Sequence, residues 1–139
     1  PADAGGRTDK GITERDHPDL WADGKVTDEE ARDRYFTRYV NGPGFDKVED
    51  PALQAQLVDF GVNSGPQIAI QKLQDALGTT IDGHLGPDTL AALKAADARL
   101  INNLVVAARI KMFGRIVTKK PSQLQFLNGW LNRALEFLK

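Results

Sequence analysis

The sequence contains no cysteine and a single methionine among its 139 residues, and aromatic residues contribute only 7% of the chain. The absence of cysteine excludes a disulfide, a cysteine nucleophile and a cysteine-based zinc site. The two histidines, His17 and His84, lie far apart and have no partners at metal-ligand spacing, so we expect neither a metal site nor a cofactor. No apolar run approaches the roughly 18 residues that a membrane-spanning helix needs, so we expect no stable membrane span.

Neither sign of charge is in large excess over the whole chain, whose formal net charge is −1. This balance argues against bulk binding of nucleic acid. Residues 1–99 hold 11 Lys/Arg and 18 Asp/Glu, whereas residues 100–139 hold 7 Lys/Arg and one acid, Glu136. The basic C-terminal stretch could bind an anionic polymer or a lipid surface. The simpler interpretation is a set of helices with solvated basic faces.

Helix start and stop signals divide most of the chain into predicted helices. Thr27 and Glu30 form a capping-box pattern ahead of a helix that should run to about Val40. Prolines at first helical positions and glycines after last positions mark the others. We expect these helices from Pro51 through Phe60, over 66–77 with Ser64 as a cap, over 87–96, from 97 to about 117, and from Pro121 onward.

Apolar residues within the predicted helices recur at helical spacing, which marks the faces that should be buried. Alternation of apolar and polar residues is nearly absent, so the predicted fold class is all-α, with one short β-hairpin possible near residues 10–26. The predicted core stripes of the last two helices are Ile101, Leu104, Val105, Ala108 and Met112, and Leu124, Leu127, Leu131 and Leu135.

The first thirteen residues are rich in glycine, threonine and aspartate and almost lack apolar side chains. Such a segment should form a surface turn of the kind that often carries binding or chemical groups. It resembles the first active-site loop of the bacterial and phage muramidases of glycoside hydrolase family 108, E-G-G-Y-x-N-D-P-x-D-x-G-G-x-T-x-x-G-I. The matching positions are Pro1, Asp3, Gly5, Gly6, Thr8, Gly11 and Ile12.

The resemblance implies a catalytic role for two residues of this loop. Asp3 would stabilise the oxocarbenium-like transition state or orient the water, and Thr8 would position that water. The family's general acid, a glutamate, would lie seven residues ahead of Pro1, so we expect a truncated chain that is nearly inactive alone. If the chain is complete, Glu14, Asp16 or Asp59 would have to replace this acid. The alternative for Asp3 and Thr8 is ordinary turn formation through hydrogen bonds to backbone N–H groups.

A second segment, Phe60-Gly61-Val62-Asn63-Ser64-Gly65, resembles the family's F-D-x-A-V-N-x-G. The resemblance implies substrate contacts by Asn63, whose amide suits the N-acetyl and hydroxyl groups of an amino sugar, and by the preceding Asp59. The alternative for Asn63 is a helix-terminal residue without a ligand. Flat aromatic rings suit pyranose rings, so Trp21, Tyr35 and Tyr39 are further candidates for sugar binding, each with a core role as the alternative.

A third segment resembles the peptidoglycan-binding motif L-Q-x-x-L-x-x-x-x-D-G-x-x-G-x-x-T through Leu73, Gln74, Leu77, Asp82, Gly83, Gly86 and Thr89. We interpret it as mainly structural, because a tight turn between helices needs these residue types, with wall contact also possible. Phe126, Gly129, Trp130 and Arg133 resemble the family's C-terminal F-x-x-G-W-x-x-R, in which Trp130 could stack on a sugar. The resemblance predicts a catalytic part over 1–65 and a helical peptidoglycan-binding part over 66–139, packed into one globule.

The leading hypothesis, implied by the resemblance, is a monomeric lysozyme-like muramidase that cleaves the β-1,4 bond between N-acetylmuramic acid and N-acetylglucosamine. Its partner would be the peptidoglycan glycan strand, and it would act on the bacterial wall in the periplasm, outside the cell, or after phage lysis. No signal peptide is visible in the sequence. The alternative is a non-catalytic module with the same fold, which either binds the wall or regulates secretion or lysis. A membrane-active basic helix over 100–139 is a weaker third hypothesis.

Overall fold

The computed structural model describes residues 8–10 and 12–139, and the chain divides into two compact units. Unit 1 is Pro1–Gly42 and unit 2 is Pro43–Lys139. The described residues form six α-helices, short π-helical and 3-10 segments, and one two-stranded sheet. The predicted all-α class is confirmed, because the sheet has only two residues in each strand.

Unit 1 begins with a short hairpin in which β1 (Thr8–Asp9) pairs with β2 (Ile12–Thr13) in antiparallel register. This hairpin overlaps only the start of the predicted range, 10–26. Consecutive hydrogen-bonded turns follow β2 as far as Gly24, so the rest of that range forms no strand.

The helix of unit 1, α1 (Asp28–Phe36), begins at the predicted capping box. The backbone N–H of Glu30 donates to Thr27 Oγ1 over 3.1 Å, and the backbone N–H of Thr27 donates to Glu30 Oε1 over 2.9 Å. The helix continues into a π-helical segment, Thr37–Asn41, which ends close to the predicted end at Val40. These reciprocal bonds satisfy two backbone donors that a helix start otherwise leaves unpaired.

Unit 2 contains the other five helices, which begin and end close to the predicted positions. The structure corrects the predicted cap of α3: Ser64 is the last residue of α2, and Gly65, at φ 93°, separates the two helices without a side-chain cap. Asp50 and Asp97 cap two of the helices through hydrogen bonds to backbone N–H groups. The helices are α2 (Pro51–Ser64), α3 (Pro66–Leu77), α4 (Pro87–Ala95), α5 (Ala98–Lys119) and α6 (Leu124–Leu135).

Each unit has its own hydrophobic core. In unit 1, the partly buried Leu20 packs against the buried residues Ile12, Trp21, Val26 and Ala31. The core of unit 2 is larger and combines residues of α2, α3 and α5 with the segment that precedes α2: Phe45, Val48, Leu53, Leu57, Phe60, Ala69, Ile70, Leu73, Ile101 and Val105.

Some of the predicted core positions on α5 and α6 were wrong. Ile101 and Val105 are buried as expected, but Leu104, Leu124 and Leu135 are exposed. The buried face of α5 includes polar residues as well as apolar ones. A face predicted from the apolar residues alone therefore differs in direction from the face that is buried. That face consists of Ile101, Asn102, Val105, Val106, Arg109 and Phe113. None of the helices in the described ranges combines the length and apolar character that a bilayer crossing requires.

Candidate functional site

Of the two predicted catalytic residues, only Thr8 lies among the described residues. Asp3 lies outside the described residues. Thr8 is the first residue of β1, where its backbone is paired with Thr13. The catalytic roles of Asp3 and Thr8 therefore stay predictions.

The three aromatic candidates of unit 1 have different surroundings. Trp21 is only 8% exposed, and its indole N–H donates to the Ile12 carbonyl over 3.3 Å. This burial agrees with the core role given as the alternative for Trp21, because a ring packed into the core has little face left for a sugar. Tyr35 is exposed and forms a tilted ring pair with Tyr39, with the centroids 5.2 Å apart. The guanidinium of Arg38 lies 5.6 Å from the Tyr39 ring centroid, so these tyrosines stay candidates for sugar contact.

A buried imidazole lies between two arginines in unit 1. Nδ1 of His17 is 2.7 Å from Arg34 Nη1, and its Nε2 is 3.0 Å from Arg38 Nη1. Arg34 also forms an ion pair with Asp19. Burial, followed by the charges of Arg34 and Arg38, lowers the pKa of His17 below its usual value. The neutral ring has one acceptor nitrogen, so it can accept a hydrogen bond from only one of the two guanidinium groups.

In unit 2, the peptidoglycan-binding motif is organised around a fully buried glutamine. The Oε1 atom of Gln74 accepts the backbone N–H groups of Asp82 and Gly83, each over 3.0 Å. Its Nε2 atom lies 2.8 Å from Asp82 Oδ1, 2.9 Å from the His84 carbonyl and 3.1 Å from Thr89 Oγ1. One side chain of α3 thereby holds the loop of residues 78–86 and the first turn of α4.

Two further motif residues, Gly83 and Asp82, are adapted to this hydrogen-bond network. Gly83 has φ 76°, and a Cβ atom there would lie 2.7 Å from Cγ of Gln67. The backbone N–H of His84 and then the amide of Gln74 hold the pKa of Asp82 below its usual range. The motif thus encodes the scaffold of unit 2, in agreement with our structural interpretation of it.

Asp59 and Asn63 lie close together on α2, within a charged cluster that α5 and α6 complete. Asp59 Oδ2 accepts from Arg109 Nη2 over 2.9 Å, and Oδ1 lies 2.8 Å from Arg133 Nε and 2.7 Å from its Nη2. The Nδ2 group of Asn63 donates to the Asp59 carbonyl over 3.0 Å. The structure therefore gives Asp59 and Asn63 partners within the protein, and their predicted roles in substrate binding stay predictions.

A cavity of about 450 Å³ opens beside this cluster, within unit 2. Its size falls in the range of small-molecule sites. The wall combines two arginines with an aromatic pair, Phe113 and Trp130, whose ring centroids are 5.5 Å apart. The residues at its wall include Asn63, Ser64, Arg109, Phe113, Trp130 and Arg133.

Sequence reasoning proposed no role for Arg109 and Arg133 in this site. Arg109 lies 50 residues after Asp59, and Arg133 lies 74 residues after it, so no local spacing connects them. The sequence signal available was Arg109 itself, which lies four residues after Val105 on the largely apolar face of α5, where a buried arginine needs a partner. Among the described residues, no group of three or more His, Cys, Asp or Glu side chains is arranged to hold a metal ion.

Comparisons with known proteins place two families side by side on this chain. A model of the family described as "Glycosyl hydrolase 108" matches residues 1–65, and a model described as "Predicted Peptidoglycan domain" matches residues 68–135. The first match ends inside unit 2, after α2, so the family boundary and the structural boundary at Gly42 differ. No curated protein sequence matches the chain.

Among solved structures, the chain is similar to the one described as "Structure of Brucella abortus SagA". The TM-score is 0.64 and the sequence identity 29%, over 97% of this chain and 83% of the other. This similarity extends across both family matches. The chain therefore combines a region that matches the glycosyl hydrolase 108 family with a C-terminal region that matches a peptidoglycan domain.

Proposed function

We propose that this protein hydrolyses the β-1,4 bond between N-acetylmuramic acid and N-acetylglucosamine in peptidoglycan. The observation that carries this proposal is the glycosyl hydrolase 108 match over residues 1–65 directly followed by the peptidoglycan domain match over 68–135. The first match supports glycosidic cleavage, and the second indicates which polymer is cleaved.

Glycosidic cleavage needs a protonated acid at the leaving oxygen and a second group that stabilises the transition state or orients the water. We assign the second role to Asp3 and the positioning of the water to Thr8. An ionised carboxylate cannot donate a proton, so a carboxyl whose pKa is lowered is unsuitable as the acid. This applies to Asp19 and Asp82. Arg34 lowers the pKa of Asp19, and the backbone N–H of His84 lowers that of Asp82.

We assign the general acid to the glutamate that the family motif places seven residues ahead of Pro1. Residues 1–139 alone should then release reducing ends from peptidoglycan about 10²–10⁴ times more slowly than a longer chain that carries the family's glutamate-bearing helix, because a positioned acid contributes that factor. In the longer chain, Glu→Gln at that position should remove the gain.

The test of Asp3 uses the longer chain and purified peptidoglycan. Asp3→Asn should lower the rate of reducing-end release by at least about 10²-fold, since it removes a group that acts in the transition state. Asp9→Asn is the matched control, because it removes the same charge six residues away and should leave the rate within about twofold. Equal rates for the two variants would refute the role of Asp3. Wall binding without any release of reducing ends would support the non-catalytic binding module instead.

A further inference from the structure

The cavity beside Asp59 has a basic wall. Arg109 is 1% exposed, whereas the side chain of Arg133 is 55% exposed and reaches the cavity from α6. Of the described residues that line the cavity, none is acidic. The carboxylate of Asp59 neutralises part of this charge from the side, and both guanidinium groups contact that same carboxylate. A basic wall that combines one buried and one partly exposed guanidinium group favours an anionic ligand.

Arg109 also has hydrogen-bond donors without acceptors. Its Nη2 atom donates to Asp59, but its buried Nε and Nη1 atoms have no hydrogen-bond partner among the described residues. The rings of Phe60 and Phe137, with centroids 4.8 and 5.7 Å from the guanidinium carbon, attract the charge but offer no lone pair. Buried donors without partners are rare in folded proteins, so these two atoms need an explanation.

The lining of the cavity also includes apolar and aromatic side chains. Trp130 packs against Phe113 and Phe126, which fixes the plane of its indole beside the arginines. Ser64 at the end of α2 adds a hydroxyl that can donate or accept. The cavity therefore joins a cationic wall to a rigid flat surface, an arrangement suited to a small carboxylate carried on a methyl group or a sugar ring.

We propose that this cavity binds a carboxylate group of peptidoglycan, with Arg133 and Arg109 facing the anion and Trp130 contacting the apolar group next to it. The proposal rests on the proposed function, since that function identifies the polymer. Peptidoglycan offers this chemistry in two places, the C-terminal carboxylate of a stem peptide and the lactyl carboxylate of an N-acetylmuramic acid from which the stem peptide has been removed. The cavity would thereby hold the wall by a charged group that a neutral glycan lacks.

The test measures binding rather than cleavage, by titration calorimetry on the 139-residue chain at low ionic strength. N-acetyl-D-alanyl-D-alanine is compared with its C-terminal amide, and N-acetylmuramic acid with uncharged N-acetylglucosamine. At least one acid should bind about tenfold or more tightly than its uncharged counterpart, because a charge-assisted hydrogen bond contributes that factor. The acid that shows this preference identifies the source of the carboxylate.

Arg133→Gln should weaken binding of the preferred acid at least about tenfold, while helical content by circular dichroism stays unchanged because this side chain is largely exposed. Arg99→Gln is the matched control on α5: it removes the same charge at an exposed position outside the cavity and should change affinity less than twofold.

Three results would overturn the proposal: no binding of either acid at millimolar concentration, equal affinity for the charged and uncharged forms, or equal effects of Arg133→Gln and Arg99→Gln. Each of these results would leave cleavage by the longer chain unaffected, so the proposed function would survive them. Failure of cleavage with intact carboxylate binding would instead refute the proposed function alone.

Discussion

The two units of the chain both bury polar side chains, but they satisfy them differently. In unit 2, Gln74 uses both its oxygen and its nitrogen in hydrogen bonds to neighbouring loop atoms. In unit 1, His17 lies between two guanidinium groups and can accept from only one at a time. In unit 2, both polar groups of the buried Gln74 side chain therefore have hydrogen-bond partners. In unit 1, the hydrogen bonds of the buried His17 ring depend on its protonation state.

The cores around these polar centres also differ in size. Among the described residues, four buried residues form the core of unit 1 with one partly buried residue against them, whereas unit 2 has ten buried core residues and further partly buried ones. A small core leaves a larger share of stability to caps and ion pairs. We therefore expect unit 2 to lose stability when the hydrogen bonds of Gln74 are removed. The stability of unit 1 should depend on the cap of α1 and on pH.

The largest effect should follow removal of the glutamine centre. Gln74→Met keeps the side-chain volume but leaves the N–H groups of Asp82 and Gly83 without their acceptor. We expect the free energy of unfolding to fall by about 2–4 kcal/mol, since buried unpaired donors cost about 1–3 kcal/mol each. Denaturant unfolding followed by circular dichroism measures this loss. The exposed Gln125→Met should change stability by less than about 0.5 kcal/mol, and an equal loss in both variants would contradict the account.

The next effect concerns the loop that Gln74 holds. Gly83→Ala should destabilise the protein by about 1–2 kcal/mol, because φ 76° is strained for alanine and its Cβ would lie close to Gln67. Gly114→Ala, inside α5 with open space around the added methyl group, should instead stabilise by about 0.5–1 kcal/mol. The thermal midpoint should fall for Gly83→Ala and rise for Gly114→Ala. Shifts of the same sign would show that the backbone geometry at Gly83 does not determine the stability change.

A smaller effect should be confined to unit 1. Thr27→Ala removes the side-chain half of the capping box of α1 and should cost about 1 kcal/mol. Hydrogen exchange followed by mass spectrometry should show faster exchange in peptides from residues 27–41 and unchanged exchange in α3. Faster exchange throughout unit 2 would contradict the expectation that this cap stabilises unit 1 alone.

The smallest effect should be a pH dependence of unit 1. The pKa of His17 is lower in the folded than in the unfolded protein, so the unfolded chain takes up the proton more readily. The stabilising contribution is therefore present above about pH 6.5, the usual histidine pKa, and is lost as the pH falls through the lowered value. Hydrogen exchange of residues 12–31 should accelerate in this window relative to the intrinsic exchange rate at each pH. His17→Gln, which cannot titrate, should lose that acceleration, and its persistence would exclude His17 as the cause.

The helices of this protein could be predicted closely because their boundaries are local. Pro51, Pro66 and Pro87 each stand at a first helical position, and Thr27 forms its capping box within four residues. The predicted burial on α5 and α6 failed at Leu104 and elsewhere, because the neighbours of a helix choose its buried face, and here that face includes Asn102 and Arg109.

The candidate cavity could be predicted only in part. Asn63 and Trp130 were marked by resemblance to family segments, and both line it. The arginines were not assigned, since their pairing with Asp59 depends on how α2, α5 and α6 pack together. For Trp21 the sequence leaves both a sugar-binding and a core role open, because an aromatic side chain carries no local signal that separates the two.

The most direct test of the proposed muramidase function is chemical identification of the sugar at the new reducing end. Peptidoglycan is digested with the longer chain that carries the family's glutamate, reduced with borohydride and analysed by mass spectrometry. The account predicts that N-acetylmuramitol accumulates and that Asp3→Asn abolishes its accumulation. Products ending in N-acetylglucosaminitol, or the absence of any reduced end, would contradict it.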